Sequence, residues 1–162
     1  MIFTDAYAAC TVCSPTRASI LTGKYPARLN LTNWITGQHY PYAKLKIPEW
    51  KMYLPLEEIT IADVLKKHGY ATSCIGKWHL GGESHSPDKQ GFDHVIAGSH
   101  HGLPYTYFAP YVVPMPPGAK DGEYLTDRLA EEAVKFIEAN KENPFLLFLS
   151  HYSVHTPLQS KE

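Results

Sequence analysis

The sequence predicts an α/β fold with a mostly parallel sheet flanked by helices. Helix-like and strand-like segments alternate along the 162 residues, and this alternation is typical of parallel sheets covered by helices. The longest helix pattern covers residues 124–140, where apolar residues recur on one face. The segment that follows, Phe145–Leu149, is a continuous apolar run, which is typical of a strand buried on both faces of a sheet.

The first half of the chain contains two further predicted helices. The apolar lead-in to the chain predicts a strand, which is followed by a turn and a helix. This helix begins near Pro15, which fits a first helical turn, and ends at Gly23. A second helix begins after Thr60, which together with Asp63 resembles a capping box, and it ends at Gly69.

Two more strands and two long loops complete the predicted architecture. The strands cover Tyr70–Ile75 and Gly91–Ile96. The segments Leu31–Pro55 and His100–Pro117 are rich in proline and aromatic residues and show no clear period. Loops of this length in a compact domain usually contribute to function. We therefore expect them to select the substrate, although their aromatic residues fit a packing role equally well.

Composition and charge exclude several classes of protein. Hydrophobic residues make up 44% of the chain and charged residues 19%, which is a globular composition. The net charge of −1 provides neither a basic nucleic-acid surface nor a polybasic membrane patch. No signal peptide or membrane span is visible in the sequence. Because both ends look interrupted, we expect residues 1–162 to be one partial domain that is truncated at both ends.

The segment Cys13–Arg17 places a cysteine at the start of the first predicted helix. Unpaired N–H groups and the helix dipole favour an anion there, and Arg17 lies about one turn further on. A buried cysteine beside a surface arginine is the alternative. Cys10 and Cys13 also form a Cys-x-x-Cys pair, but no second Cys or His pair at zinc spacing completes a metal or redox site.

Two later segments place a cation and imidazoles directly after predicted strands. Lys77 and His79 follow one strand, and alternation along an extended chain puts them on the same side. His151 and His155 follow the apolar run. Because the carboxyl ends of parallel strands meet at one edge of a sheet, these side chains are expected to converge. A solvated Lys77 and a loop-capping His79 are the alternative, and we expect His151 to be structural.

Taken together, these segments resemble the sulfatase family. The family pattern Cys-x-Pro-x-Arg is matched by Cys13, Pro15 and Arg17. The pattern Gly-Tyr-x-Thr…Gly-Lys-Trp-His is matched from Gly69 to His79, and the His-Thr-Pro turn is matched from His155 to Pro157. Their order and spacing also fit, so the resemblance covers essentially the whole chain. It is closest to formylglycine-dependent enzymes of the arylsulfatase and N-acetylgalactosamine-6-sulfatase type, and it implies an alkaline-phosphatase-like fold.

The resemblance implies hydrolysis of sulfate esters through a formylglycine that a separate maturation enzyme makes from Cys13. A hydrated aldehyde carries two hydroxyls on one carbon. One attacks sulfur, and the other then loses its proton so that the carbonyl reforms and sulfate leaves. By the same resemblance, Arg17 holds the formylglycine, and Lys77 binds a sulfate oxygen. His79 helps to move the proton of the nucleophile, and His155 assists the leaving group.

The resemblance also implies a calcium ion, which takes oxygen ligands and polarises the sulfate. The family's adjacent aspartates precede the cysteine motif, and this sequence contains no Asp-Asp pair. Asp5 lies too close to the motif to replace them. Cys13, as formylglycine, is therefore the one metal ligand that we assign, and the other family ligands lie outside this chain. We expect the chain alone to bind calcium weakly and to turn over little substrate.

The implied substrate is a sulfated glycan or an aryl sulfate ester, and the implied compartment is the periplasm, the exterior or the lysosome. We expect no nucleic-acid partner and no membrane partner. Two alternatives remain open. One is a phosphoesterase or phosphonate hydrolase of the same superfamily, and the other is a non-catalytic glycan-binding relative that has lost the metal site.

Overall fold

A computed structural model describes residues 1–37 and 40–161 of the protein. Most of the described residues lie outside helices and strands. The predicted loop Leu31–Pro55 contains neither helix nor strand over its described residues, and Gln38 and His39 lie outside them. The elements in chain order are α1 (Cys13–Thr22), α2 (Pro26–Leu29), α3 (Ile61–Lys67), β1 (Ala71–Gly76), two 3-10 turns (Glu83–His85 and Pro87–Gln90), β2 (His94–Ile96), α4 (Leu125–Asn140) and β3 (Phe145–Ser150).

The described strands form a parallel sheet in the order β2-β1-β3. In this register Ser73 lies opposite His94, and Gly76 lies opposite Ser150. The predicted α/β class with a parallel sheet is therefore confirmed. Because β1 and β3 run in the same direction and are paired to their last residues, the segments that follow them emerge side by side.

Helices cover both faces of this sheet. Cys74 and Ile75 are neighbours in β1, so their side chains point to opposite faces. Cys74 belongs to a core cluster with residues of α1 and α3, and Ile75 belongs to a cluster with residues of α4. The result is a three-layer arrangement. None of the helices within the described ranges is both long enough and apolar enough to cross a membrane.

The predicted N-terminal strand is wrong. Residues 1–12 contain neither a helix nor a strand, and the side chains of Met1, Phe3 and Tyr7 are exposed. A strand needs a neighbour that pairs with its N–H and C=O groups. Within the described ranges, the three strands of the sheet pair only with one another, so apolar composition alone does not make a strand of the lead-in.

The burial predicted for the apolar run Phe145–Leu149 is also wrong. It forms β3 as expected, but β3 is mostly half-buried, and Leu149 is 39% exposed. The strand that is buried is β1, whose residues from Thr72 to Gly76 are all buried. The physical reason is position. In the described sheet β1 has a neighbour on each side, whereas β3 lies at an edge and is less completely covered.

The helix boundaries follow the predicted capping residues closely. At the end of α1, Gly23 adopts a left-handed φ of 69° and its N–H donates to Ser19 O, as glycine does at many helix ends. At the start of α3, Thr60 and Asp63 form a reciprocal capping box. The short helix α2 was not predicted from the sequence.

Candidate active site

The ends of β1 and β3 are joined at Gly76. This glycine has a left-handed φ of 101°, and a Cβ built on it would lie 2.0 Å from Ser150 O. The missing side chain therefore lets the two strand ends approach. The next residue continues the contact, because Lys77 N donates to Ser150 O at 2.7 Å. Lys77 and His79 consequently leave the sheet beside the start of the 150–157 segment.

Cys13 is the first residue of α1, as the sequence predicted. Its Sγ lies 3.3 Å from His79 Nδ1, so the helix N-terminus and the segment after β1 meet at this sulfur. Thr16 Oγ1 donates to Cys10 O at 2.7 Å, which ties the preceding chain to the first turn of the helix. The half-buried thiol therefore sits where helix N–H groups favour negative charge.

Two contacts orient the imidazole of His79. On the far side from Cys13, His79 Nε2 is hydrogen-bonded to the carbonyl oxygen of Ile35. A carbonyl can only accept, so Nε2 carries the hydrogen and Nδ1 is left to accept from the Cys13 thiol. Burial, followed by the charge of Lys77, lowers the pKa of His79 to about 4. The ring is therefore neutral near pH 7 and able to take a proton at Nδ1.

Lys77 and Arg17 bring positive charge to the same sulfur. Lys77 is 3% exposed, and burial lowers its pKa while the neighbouring Cys13 opposes that shift. Arg17 Nη1 donates to Lys77 O at 2.6 Å and also to Ser150 Oγ. The guanidinium thus braces the two strand ends, with Cys13 close enough to oppose the lowering of the Arg17 pKa by burial. The alternative of a solvated Lys77 is therefore wrong, because this side chain is buried.

His155 lies at the rim of the site rather than in its interior. Its ring is exposed, and its Nδ1 lies 3.3 Å from Thr156 Oγ1. Tyr107 Oη donates to His155 O at 3.0 Å and so fastens the backbone that carries the ring. His151 is half-buried, its Nδ1 has no hydrogen-bond partner in the described part of the chain, and it does not line the cleft.

A cleft of about 740 Å³ opens over Cys13, and we call it the Cys13 cleft. It brings together three of the predicted residues: Cys13, His79 and His155. Both loops expected to select the substrate contribute to its walls. The sequence motifs gave no signal for the individual lining residues from these loops, which include Trp34, Ile35, Met52, His100, His101, Leu103 and Tyr105.

The cysteines are all reduced and differ in accessibility. Cys10 and Cys13 are partly exposed, whereas Cys74 is buried in the core. Burial raises the pKa of the Cys74 thiol to about 12, although Arg17 opposes the shift. A buried neutral thiol of this kind is chemically inert, so the accessible sulfur chemistry belongs to the Cys10–Cys13 segment.

The residues around Cys13 do not fit a calcium ion by themselves. Calcium takes six to eight oxygen ligands, largely from carboxylates. The side chains at Cys13 are instead a lysine, an arginine and a neutral imidazole. In residues 1–37 and 40–161, no three His, Cys, Asp or Glu side chains are grouped so that they could hold a metal ion. The described side chains around Cys13 therefore carry a net positive charge.

Comparison with known proteins agrees with this arrangement. A family model described as Sulfatase matches residues 1–162. The arylsulfatase of Hemicentrotus pulcherrimus is 32% identical over 185 residues, which cover 99% of this chain and 32% of that protein. The crystal structure of Ps i-CgsB in complex with k-i-k-neocarrahexaose matches with a TM-score of 0.72 at 30% identity, covering 98% of this chain and 38% of that one.

A second solved structure is similar at lower identity. BT4656, in complex with its substrate D-glucosamine-2-N,6-O-disulfate, matches with a TM-score of 0.65 at 26% identity, over 94% of this chain and 27% of that one. These similarities confirm the expected alkaline-phosphatase-like fold. The chain spans about a third of the length of the curated relatives it matches. With the family model covering every residue and the cysteine motif at the start of α1, this chain belongs to the sulfatase family.

Proposed function

We propose that the protein hydrolyses sulfate esters and that Cys13, after conversion to formylglycine, supplies the nucleophile. The observation that carries this proposal is the convergence at one sulfur of a helix N-terminus, the buried Lys77 and the imidazole of His79. A sulfuryl group in transfer bears negative charge on its oxygens. Fixed donors and cations aimed at that charge lower the barrier most when they are preorganised away from water.

A hydrated aldehyde at position 13 would supply two hydroxyls on one carbon, one to bond to sulfur and one whose deprotonation later expels sulfate. The neutral Nδ1 of His79 takes a proton at this position, because its other nitrogen already donates to Ile35 O. Lys77 holds a sulfate oxygen. Arg17 keeps the ends of β1 and β3 together beneath the site through Lys77 O and Ser150 Oγ.

His155 is proposed to act on the departing alcohol. Its exposed ring lies at the rim of the Cys13 cleft, where the non-transferred part of an ester extends toward solvent. A proton donated there to the ester oxygen assists cleavage of the S–O bond. The backbone anchor from Tyr107 holds this ring near the rim.

The proposed substrate is a sulfated carbohydrate. Support comes from two similar structures, one in complex with k-i-k-neocarrahexaose and one with D-glucosamine-2-N,6-O-disulfate. Maturation requires an enzyme that converts the Cys13 thiol to an aldehyde. By family analogy, we place the protein in the periplasm, the exterior or the lysosome. Calcium, which the family resemblance implies, would need oxygen ligands from beyond the described residues.

Mass spectrometry of the tryptic peptide that ends at Arg17 tests the modification. Conversion of a CH₂SH side chain to CHO removes sulfur and two hydrogens and adds oxygen, so the peptide becomes lighter. Fragment ions must place the change at Cys13 rather than at Cys10, which lies in the same peptide. A protein that is active while Cys13 remains an intact thiol would defeat the formylglycine mechanism.

A panel of matched sulfate and phosphate esters tests the reaction class. We expect the intact protein to prefer sulfate esters, and replacement of Cys13 by alanine to abolish turnover. Preference for phosphate or phosphonate esters would favour the phosphoesterase alternative. Binding of sulfated glycans without any turnover would favour the non-catalytic alternative.

A further inference from the structure

The outer wall of the Cys13 cleft carries an aromatic side chain that the proposed reaction does not use. Tyr105 lines the cleft and is 56% exposed. The other tyrosine and phenylalanine rings of the fully described loop His100–Pro117 have packing roles. Tyr107 is 2% exposed, and Phe108 and Tyr111 pack against the same core cluster. Tyr105 is therefore the tyrosine of this loop that faces the open cleft.

The backbone holds Tyr105 in a strained conformation. Its φ is +61°, a left-handed value that residues other than glycine seldom adopt unless their surroundings impose it. The next two residues are anchored: Thr106 Oγ1 donates to Phe108 O at 3.1 Å, and Tyr107 N donates to Gln159 Oε1 at 2.7 Å. Strain of this kind clusters at ligand sites, and here it holds an exposed ring at the mouth of the cleft.

Two histidines complete this wall. The rings of His101 and Tyr105 meet edge to face, with their centroids 5.2 Å apart, and the rings of His100 and His101 lie 4.1 Å apart. Burial and the neighbouring His100 lower the pKa of His101, so its imidazole is neutral near pH 7. A neutral imidazole offers one donor and one acceptor, and none of the described residues that line the cleft carries a carboxylate.

This combination matches a sugar ring better than an aryl ring. A pyranose presents an apolar C–H face that packs on an aromatic side chain, and hydroxyls at its rim that hydrogen-bond to imidazoles. An aryl group carries no hydroxyls for the imidazoles to bind, so it would not be held against the face of Tyr105. The absence of acidic side chains also leaves the wall free of repulsion toward an anionic ester.

We propose that Tyr105 and His101 form a sugar-binding wall that holds the pyranose ring next to the sulfate ester while the ester reaches residue 13. This inference rests on the proposed function, because it names the substrate group that the cleft selects. Tyr105 provides the stacking face, and His101 both supports that ring and hydrogen-bonds to a hydroxyl. Specificity for carbohydrate over aryl esters would then reside in this wall rather than at Cys13.

Steady-state kinetics of the intact protein test the wall. The probes are a panel of sulfated oligosaccharides that includes k-i-k-neocarrahexaose, the monosaccharide D-glucosamine-2-N,6-O-disulfate, and p-nitrophenyl sulfate. We expect Tyr105→Ala to raise KM for the best sugar substrate by roughly 3- to 10-fold, the size of one aromatic contact, with kcat nearly unchanged. KM for p-nitrophenyl sulfate should not change, and Tyr105→Phe should retain most of the affinity for the sugar.

Tyr25→Ala is the matched control, because Tyr25 is 74% exposed and does not line the cleft. Unchanged sugar KM in Tyr105→Ala, or equal changes for sugar and aryl esters, would overturn the inference. Calorimetric binding of each sulfated sugar of the panel to a Cys13→Ser protein separates this result from the reaction itself. If Tyr105→Ala weakens this binding, the sugar-binding wall is supported even when no sulfate ester is hydrolysed. The absence of hydrolysis would refute the proposed function alone.

Discussion

At the scale of single residues, the position of His79 depends on a neighbour that has no side chain. A Cβ built on Gly102 would lie 2.5 Å from His79 Cε1 and 2.8 Å from its Nε2. The imidazole is therefore confined between Gly102 and Cys13, and its Nε2 is held by Ile35 O. Any side chain at position 102 must push the ring away from residue 13 or break its contact with Ile35.

We expect Gly102→Ala to reduce kcat for sulfate ester hydrolysis by about 10- to 100-fold, since small displacements of reacting groups have effects of this size. The step that becomes slower is the proton transfer at His79 Nδ1, which is not part of substrate binding. KM should therefore change much less than kcat. The measurement is kcat and KM of the purified variant, with circular dichroism to confirm that it folds.

Gly82→Ala provides the comparison for this variant. Gly82 also lines the Cys13 cleft, but nothing lies within 4 Å of a Cβ built there. It should keep nearly normal kcat. Equal activity of the two alanine variants would mean that Gly102 does not position His79.

At the scale of elements, α4 packs on the sheet through its apolar stripe, and a buried ion network ties the helix to the loop that precedes it. Arg128 donates to Glu123 Oε1 at 3.2 Å and to Glu132 Oε1 at 3.0 Å, and Lys135 donates to Glu132 Oε1 at 2.7 Å. The side chains of Arg128 and Glu132 are only 9% and 10% exposed. Burial opposes ionisation of Glu132, but the hydrogen bonds from Lys135 and Arg128 outweigh it and lower the pKa of Glu132.

Arg128→Met should reduce the free energy of unfolding at pH 7 by about 2–4 kcal/mol, because it leaves two poorly solvated carboxylates without their shared cation. A carboxyl group whose pKa is lower in the folded than in the unfolded protein stabilises the fold at pH values above its unfolded pKa. That contribution is lost as the pH falls through the pKa of the folded state. The difference between wild type and variant should therefore narrow below about pH 4.5. Urea unfolding followed by circular dichroism at several pH values measures both effects.

Lys141→Met serves as the matched change in the same helix region. Lys141 pairs with Glu138, and both side chains are more than half exposed. Such surface pairs contribute little to stability, so the free energy of unfolding should change by less than about 0.5 kcal/mol. An Arg128→Met protein as stable as Lys141→Met would show that the buried network does not hold α4.

At the scale of the whole molecule, the charge around position 13 is one-sided. Lys77 and Arg17 approach the sulfur, and no carboxylate among the described residues of the cleft balances them. A cationic site attracts the sulfate group of a substrate, but it repels a metal cation. The described residues therefore supply the anion-binding groups of the proposed site.

We expect isothermal titration of the 162-residue chain with calcium to show no tight binding, because calcium needs several oxygen ligands at once. A Cys13→Ala variant should give the same flat titration. Saturable binding at micromolar calcium would contradict this prediction and would require an oxygen-rich site in this chain that the described residues do not form.

The sequence alone predicted α1, α3, α4 and the three strands of the sheet in their correct order, and it predicted the clustering of the main site residues. Cys13 could be placed at a helix start because Pro15 and Gly23 mark the two ends of α1 by local backbone rules. Lys77 and His79 could be placed at a strand end because the strand pattern of Tyr70–Ile75 stops just before them. These are short-range regularities, so they can be read from neighbouring residues, and the structure reproduces them.

Only the tertiary structure decided the features that depend on contacts between distant segments. It showed that the apolar lead-in is not a strand and that β3 lies at an edge, since pairing and burial depend on which partners are present. It also brought Ile35 O and Gly102 to His79 and turned Tyr105 toward the cleft. The physical reason is that loop residues without periodicity acquire their roles from the surfaces on which they pack, and a sequence pattern does not record those surfaces.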